Sequence, residues 1–335
     1  MIKRLYLFGL TAVFFAIAAP TQAQKTLIIS SWAPPTHLTN SIVWPTWGKW
    51  VEEATEGRVT TKIEYKLAPP PKQFDLVRDG VAHATWIFHG YNTRYLATQA
   101  VEMPNLGTNA ESASVAYWRV HEKYLAKANE HKGVTLIGLS SHGPAVIQTK
   151  TPLGDLSELS GLKIRVPGGV GSKVGKALGV TAVKLPAPKV YEALSSGVAD
   201  GIFMPIETQK SFRLKEVVPH VTIMPGGLYY GSFGYLLNTD FLNSLSEKDQ
   251  KAIMNVSGEK LARLAGKAWD DADTAGHANA LAAGTTVNTA SHAIHTAYLD
   301  LMAPVEAAWV EEISGKGIDG KAALEELRSI ARSNP

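Results

Sequence analysis

Two stretches of the chain echo each other: Phe74-Asp75-Leu76-Val77-Arg78-Asp79-Gly80-Val81-Ala82 and Tyr191-Glu192-Ala193-Leu194-Ser195-Ser196-Gly197-Val198-Ala199. Registered on Gly80 and Gly197, they lie 117 residues apart. In each, an aromatic residue is followed three positions later by an aliphatic one (Phe74 and Val77, Tyr191 and Leu194), which puts both on one helix face. A glycine then stops the helix, and the segment after it predicts a strand, over Ala84–Phe88 in the first copy and Gly201–Met204 in the second. Two copies of one helix–glycine–strand unit predict two related α/β lobes, each presenting a strand end to the gap between them.

Upstream of the first copy, Lys25–Ser31 reads as a strand buried on both faces, because Leu27, Ile28 and Ile29 are consecutive. The loop Trp32–His37 follows. Ile42, Val43, Trp47, Trp50 and Val51 then recur at helical spacing, with Trp44, Trp47 and Trp50 assigned to helix packing, before the alternating strand Val59–Tyr65. Between the copies, 134–139, Ala145–Thr149 and 162–166 read as strands, and after the second copy 232–238 reads as another. Ser246 with Asp249 makes a capping-box-like start for one long helix running to about Gly276, and Ala-rich helices continue to Arg332.

Composition narrows the function. The chain has 335 residues, 45% apolar and 19% charged, enough for a sizeable core. It has no cysteine, which excludes disulfides, thiolate metal sites and a cysteine nucleophile. The net charge of +3 is too even for a nucleic-acid footprint. Lys3 and Arg4, the apolar run Leu5–Ala19 and the exit Pro20-Thr21-Gln22-Ala23 have the parts of a secretory signal peptide. The run is shorter than the roughly 20 residues that span a bilayer. Cleavage after Ala23 leaves a chain of formal charge +1, exported to the periplasm and not inserted in the membrane.

Motifs for catalysis are missing. The ten histidines, among them His131, His142, His277, His292 and His295, show no metal-ligand spacing, and there is no Gly-x-Ser-x-Gly elbow. Gly168–Lys173 lacks the phosphate-loop pattern. The segment Asp155-Leu156-Ser157-Glu158-Leu159-Ser160-Gly161-Leu162-Lys163-Ile164-Arg165-Val166-Pro167-Gly168 carries the best candidate. It places Arg165 at the C-terminal end of a strand, just before a Pro-Gly-Gly turn. Ligands bind in the crevice beyond strand C-termini in open α/β sheets, and a guanidinium there can clamp a carboxylate through two parallel hydrogen bonds.

Asp155–Gly168 closely resembles the "DLkGlKiRvPg" segment of the solute-binding proteins of tripartite ATP-independent periplasmic (TRAP) transporters. The Trp32–His37 loop, Glu53–Val59, Arg78–Ala82, Glu102-Met103-Pro104, Val198-Ala199-Asp200-Gly201 and Gly227–Asn238 fall in that family's order. The resemblance implies a two-lobed, type II-like periplasmic-binding fold with crossing strands and a long bracing helix. It also implies a receptor for an organic acid that works with membrane permease subunits. Arg165 matches the arginine that usually holds the substrate carboxylate. Two departures stand out. His142-Gly143-Pro144 offers no second arginine, and Met204 stands where many members have asparagine. Both argue against a heavily polar ligand.

The expected site follows. Arg165 and His142 meet the ligand carboxylate, while Trp32, Phe88, His89, Gly90, Tyr91, Met204, Tyr229, Tyr230 and Phe233 surround its body. Gln73, Gly168 and Glu207 add polar contacts. No metal or cofactor is expected. The leader occupies 1–23, the first lobe mainly 24–145, the second mainly 146–238, and a helical part that returns across both lobes 239–335. The expected ligand is a monocarboxylate with an aromatic or hydrophobic body, a 2-oxo or 2-hydroxy acid included. Two alternatives use the same scaffold: an exported enzyme with a His142–Glu207 acid–base pair, and a receptor of the ABC or sensor type.

Overall fold

Strands Lys25–Ser31 (β1), Val59–Tyr65 (β2) and Ala84–Phe88 (β3) alternate with helices Trp44–Ala54 and Gln73–Arg78 in the computed structural model, which describes residues 24–333. The segment 1–23, expected to be a leader, lies outside the described residues. The same β-α-β-α-β run recurs as Lys163–Val166 (β6), helix Gly169–Ala177, Thr181–Lys184 (β7), helix Val190–Ser195 and Gly201–Pro205 (β8). The echo is therefore structural as well as sequential. Gly80 and Gly197 sit at φ +74° and +79°, a left-handed turn that glycine adopts without strain, and each hands the chain from a short helix to a buried strand.

The first sheet has the order β2-β1-β3-β10-β4 and the second β7-β6-β8-β5-β9-β11, where β4 is Thr135–Ser141, β5 Ala145–Thr149, β9 His220–Ile223, β10 Ser232–Leu237 and β11 Thr286–Thr289. β3 pairs parallel with β1 and antiparallel with β10, and β8 pairs parallel with β6 and antiparallel with β5. The chain crosses between sheets from β4 to β5 and again from β9 to β10. β10 falls in the segment 146–238 expected mainly in the second lobe, but it lies in the first sheet, held by its ladders to β3 and β4. β7, β9 and β11 had no sequence expectation. Each has only four residues, and the two edge strands β7 and β11 are largely exposed, so they carry little apolar periodicity to read.

The helix expected to run from Ser246 to Gly276 is two helices, Glu247–Asn255 and Glu259–Ala282. Ser246 caps the first as expected, accepting from the Asp249 amide. The break falls at Gly258, which takes φ +62° and donates its N–H to the Ile137 carbonyl at 2.8 Å. The second helix touches both lobes. Asp270 accepts from the amides of Ala110 and Glu111 at 2.7 and 2.9 Å, at the start of helix Ala110–Val120, which packs on β4. Asp273 accepts from the Glu207 amide at 2.9 Å, just past β8. Gly266 and Gly276 lie against the backbone of Glu111 and Glu207, where a side chain would collide. The helix is thereby fastened to each lobe by one carboxylate and one glycine contact.

Candidate functional site

β1 ends at Ser31, so Trp32 leaves the sheet at the mouth of the gap, and β3 sends Trp86 and Phe88 to the same face because strand side chains alternate. Opposite them stand Arg165 from β6 and Met204 from β8. These residues, with Tyr91, His142, Tyr229, Phe233 and others, wall one cavity between the lobes. Trp32 stacks on Trp86 with centroids 4.2 Å apart, and Phe233 stacks on Trp269 of the long helix at 5.5 Å. Tyr91 stands edge-on to Trp32 at 6.3 Å and to Phe88 at 4.9 Å. The walls are flat rings.

The charge in this apolar chamber is Arg165. Its side chain is 1% exposed, and its Nε donates to the Leu185 carbonyl at 3.0 Å. Among the described residues no carboxylate pairs with it. A buried cation without a counter-ion is costly. Tyr91 stands beside it. The Tyr91 oxygen accepts from the Ala187 amide at 2.9 Å, which leaves its O–H free to donate. Burial raises the pKa of this phenol and the Arg165 charge opposes the rise, so it stays protonated at neutral pH.

His142 is 5% exposed, and its Nδ1 lies 2.6 Å from the Gly143 carbonyl oxygen. Burial pushes its pKa down to about 4, and the Arg165 charge adds to the fall. The ring is neutral. His37, not anticipated from sequence, also lines the cavity; burial lowers it to about 3, and its Nδ1 accepts from the Thr39 amide at 3.2 Å.

The cavity thus brings together Arg165, His142, Trp32, Phe88, Tyr91, Met204, Tyr229 and Phe233. The other expected residues do not line it. Tyr230 points into the core, where its hydroxyl donates to the Thr108 carbonyl at 2.7 Å. His89 is buried behind β3 against His131 and Ser232. Gln73 is spent on Ala68 and Thr85. Glu207 lies in a separate pocket with Thr36 and Lys210, so the His142–Glu207 pair required by the enzymatic alternative is not assembled. Gly90 and Gly168 touch each other where the lobes meet, and a side chain at Gly168, whose φ is +109°, would collide with the Gly90 carbonyl.

Sequence reasoning missed Trp86, Trp269, His37 and Phe212, which also line the cavity. Trp86 was readable, since it lies two residues from Phe88 on one strand and shares its face. Trp269 carries no such signal, being one apolar position in a 24-residue helix.

The sequence profile of the bacterial extracellular solute-binding proteins, family 7, matches residues 29–312. The chain belongs to that family. These are the solute-binding proteins of TRAP transporters, and family 7 members are periplasmic receptors that work with TRAP permease subunits. A TRAP periplasmic solute-binding protein from Bordetella bronchiseptica, solved with bound (R)- and (S)-mandelate, is 39% identical and superposes with a TM-score of 0.90 over 92% of this chain and 99% of its own. A TRAP solute-binding protein from Rhodoferax ferrireducens in complex with copurified benzoate is 28% identical, with a TM-score of 0.86 over 92% and 98%. Among curated relatives, the outer membrane transporter protein TsaT of Comamonas testosteroni is 32% identical over 96% of this chain and 97% of that protein. The present family 7 chain has two open sheets, and no helix among its described residues is long and apolar enough to cross a membrane.

Proposed function

We propose that this family 7 receptor, exported and freed of its leader after Ala23, captures an aromatic monocarboxylate and delivers it to its TRAP permease. One observation carries the reading: a buried arginine with no acidic partner at one end of a chamber built from rings. Arg165 and the Tyr91 hydroxyl are donors, and a carboxylate is an acceptor for both. The rest of the ligand meets Trp32, Trp86 and Phe233, which favour a flat apolar body. Among the described residues, no second arginine lines the site for a second carboxylate. The mandelate and benzoate held by the two solved relatives are acids of this description.

Binding works by selecting the closed form. The carboxylate clamp comes from β6 and most of the ring walls from β1, β3 and β10, so a ligand gains full contact only when the lobes meet. Isothermal calorimetry on the mature protein tests this. Benzoate, phenylacetate and mandelate are expected to bind, with succinate and neutral sugars at least about a hundredfold weaker. Succinate or a sugar binding as tightly as the aromatic acids would overturn the proposal.

A further inference from the structure

The hydrogen-bonding capacity of the cavity is uneven. The Tyr229 hydroxyl donates to the Phe203 carbonyl and the Trp32 indole N–H to the Trp86 carbonyl, so neither group's hydrogen is free for a ligand. Two neutral imidazoles remain, and they hold opposite tautomers. His37 accepts a backbone N–H at Nδ1, so its hydrogen is on Nε2. His142 has Nδ1 at 2.6 Å from a carbonyl oxygen, which can only accept, so its hydrogen is on Nδ1 and Nε2 carries a lone pair. The His142 Nε2 has no hydrogen-bond partner among the described residues. The ring is fixed in plane. Tyr229, Phe233 and Trp269 stand edge-on to it at 5.8–5.9 Å, and Gly231 lies against its Cδ2–Nε2 edge. Its carbonyl partner is fixed as well, because the Asp273 carboxylate rests on the Gly143 backbone.

The sequence expectation that His142 binds the carboxylate therefore gives way. A neutral imidazole whose hydrogen is already committed has only a lone pair to offer, and a carboxylate oxygen would face it as a second acceptor. The same repulsion applies to a 2-oxo group. We propose that His142 accepts the hydrogen of a hydroxyl carried next to the carboxylate, so that the site prefers aromatic 2-hydroxy acids over their 2-oxo and unsubstituted counterparts. This rests on the reading of Arg165 as the carboxylate clamp, and His142 lines the same cavity within reach of the Arg165 charge.

Calorimetry with each mandelate enantiomer, phenylglyoxylate and phenylacetate tests the preference on the unmodified protein. At least one enantiomer is expected to bind about tenfold or more tightly than either of the other two acids, since an unmet buried polar group costs about that much in affinity. In His142→Phe, mandelate is expected to lose about tenfold more affinity than phenylacetate does. Nitrogen-15 spectra of the ligand-free protein supply a readout that needs neither binding nor a variant, and the His142 Nε2 is expected to resonate as an unprotonated nitrogen. A protonated Nε2, or phenylglyoxylate or phenylacetate matching the better enantiomer, overturns this inference while leaving the clamp intact. Failure of every aromatic acid to bind overturns the clamp and this inference together.

Discussion

Read from one edge, the first sheet runs β2-β1-β3-β10-β4, and the second runs β7-β6-β8-β5-β9 before β11 is added. Each strand of one lobe thus has a counterpart in the other, and the cross-strand register makes the match residue by residue. β1 sets Ile29 beside Ala84 and Ser30 beside Thr85, while β6 sets Ile164 beside Gly201 and Arg165 beside Ile202. Ala84 and Gly201 occupy the same place in the two echo units. Arg165 therefore stands in the second lobe where buried Ser30 stands in the first. Beyond the strand, Trp32 in the first lobe faces Pro167 in the second across the same cavity. One lobe supplies the charge and the other most of the rings, so an aromatic acid held as proposed would need both halves, and shared wiring has been divided into two chemistries.

The largest expected effect comes from removing the charge. Arg165→Ala should weaken binding of aromatic acids by about a hundredfold to a thousandfold in calorimetry, the scale on which one partner of a buried ion pair is lost. Arg165→Lys should recover little of it, because an ammonium cannot reproduce the two-point fork. Retained affinity in both variants would erase the asymmetry between the lobes.

Removing a ring tests the other half. Trp32→Ala deletes the stacked partner of Trp86 and should cost about ten- to a hundredfold for benzoate, from lost apolar burial and ring contact. The loss for a short aliphatic acid such as butyrate should be smaller. Equal losses would mean that Trp32 supports the wall without touching the ligand's ring.

The contact between lobes gives a third test. Gly168→Ala forces a side chain into the Gly90 carbonyl at a backbone conformation, φ +109° with ψ −167°, that costs residues other than glycine about 1–3 kcal/mol. Affinity should fall about tenfold, and small-angle scattering with saturating ligand should show a larger radius of gyration than wild type. An unchanged radius would place closure elsewhere.

The smallest effect concerns Glu207, whose pKa burial pushes up to about 8, with the charge of nearby Asp273 adding to the rise. Between the ordinary carboxylate value near 4.5 and pH 8, the native state keeps a proton that the unfolded chain has released, so stability falls as pH rises through that window. Glu207→Gln removes this contribution. The melting temperature of the variant relative to wild type should therefore climb by about 2–4 °C between pH 5 and pH 8. A difference independent of pH would mean that Glu207 is ionised in the native protein.

The strands that carry the site were legible because they are buried on both faces and bounded by glycine or proline, as at Ala84–Phe88 before Gly90 and Lys163–Val166 before Pro167. Arg165 was legible for a different reason, a cation at a strand end just before a turn. What the sequence hid was direction. Tyr229 and Tyr230 are adjacent and both buried, yet only Tyr229 faces the cavity. Glu207 follows β8 closely enough to suggest the gap, but the amide contact to Asp273 turns that segment toward the long helix. The His142 tautomer depends on a carbonyl one residue away, and a local backbone angle of this kind leaves no trace in residue type.

The stacked pair Trp32–Trp86 and the indole of Trp269 place three of the chain's eight tryptophans on the wall that a guest would touch. Loading this receptor should therefore change its own ultraviolet emission. Capture, retention and hand-over could then be timed by stopped-flow optics on unlabelled material, with each stage reported by the same fluorophores that grip the cargo.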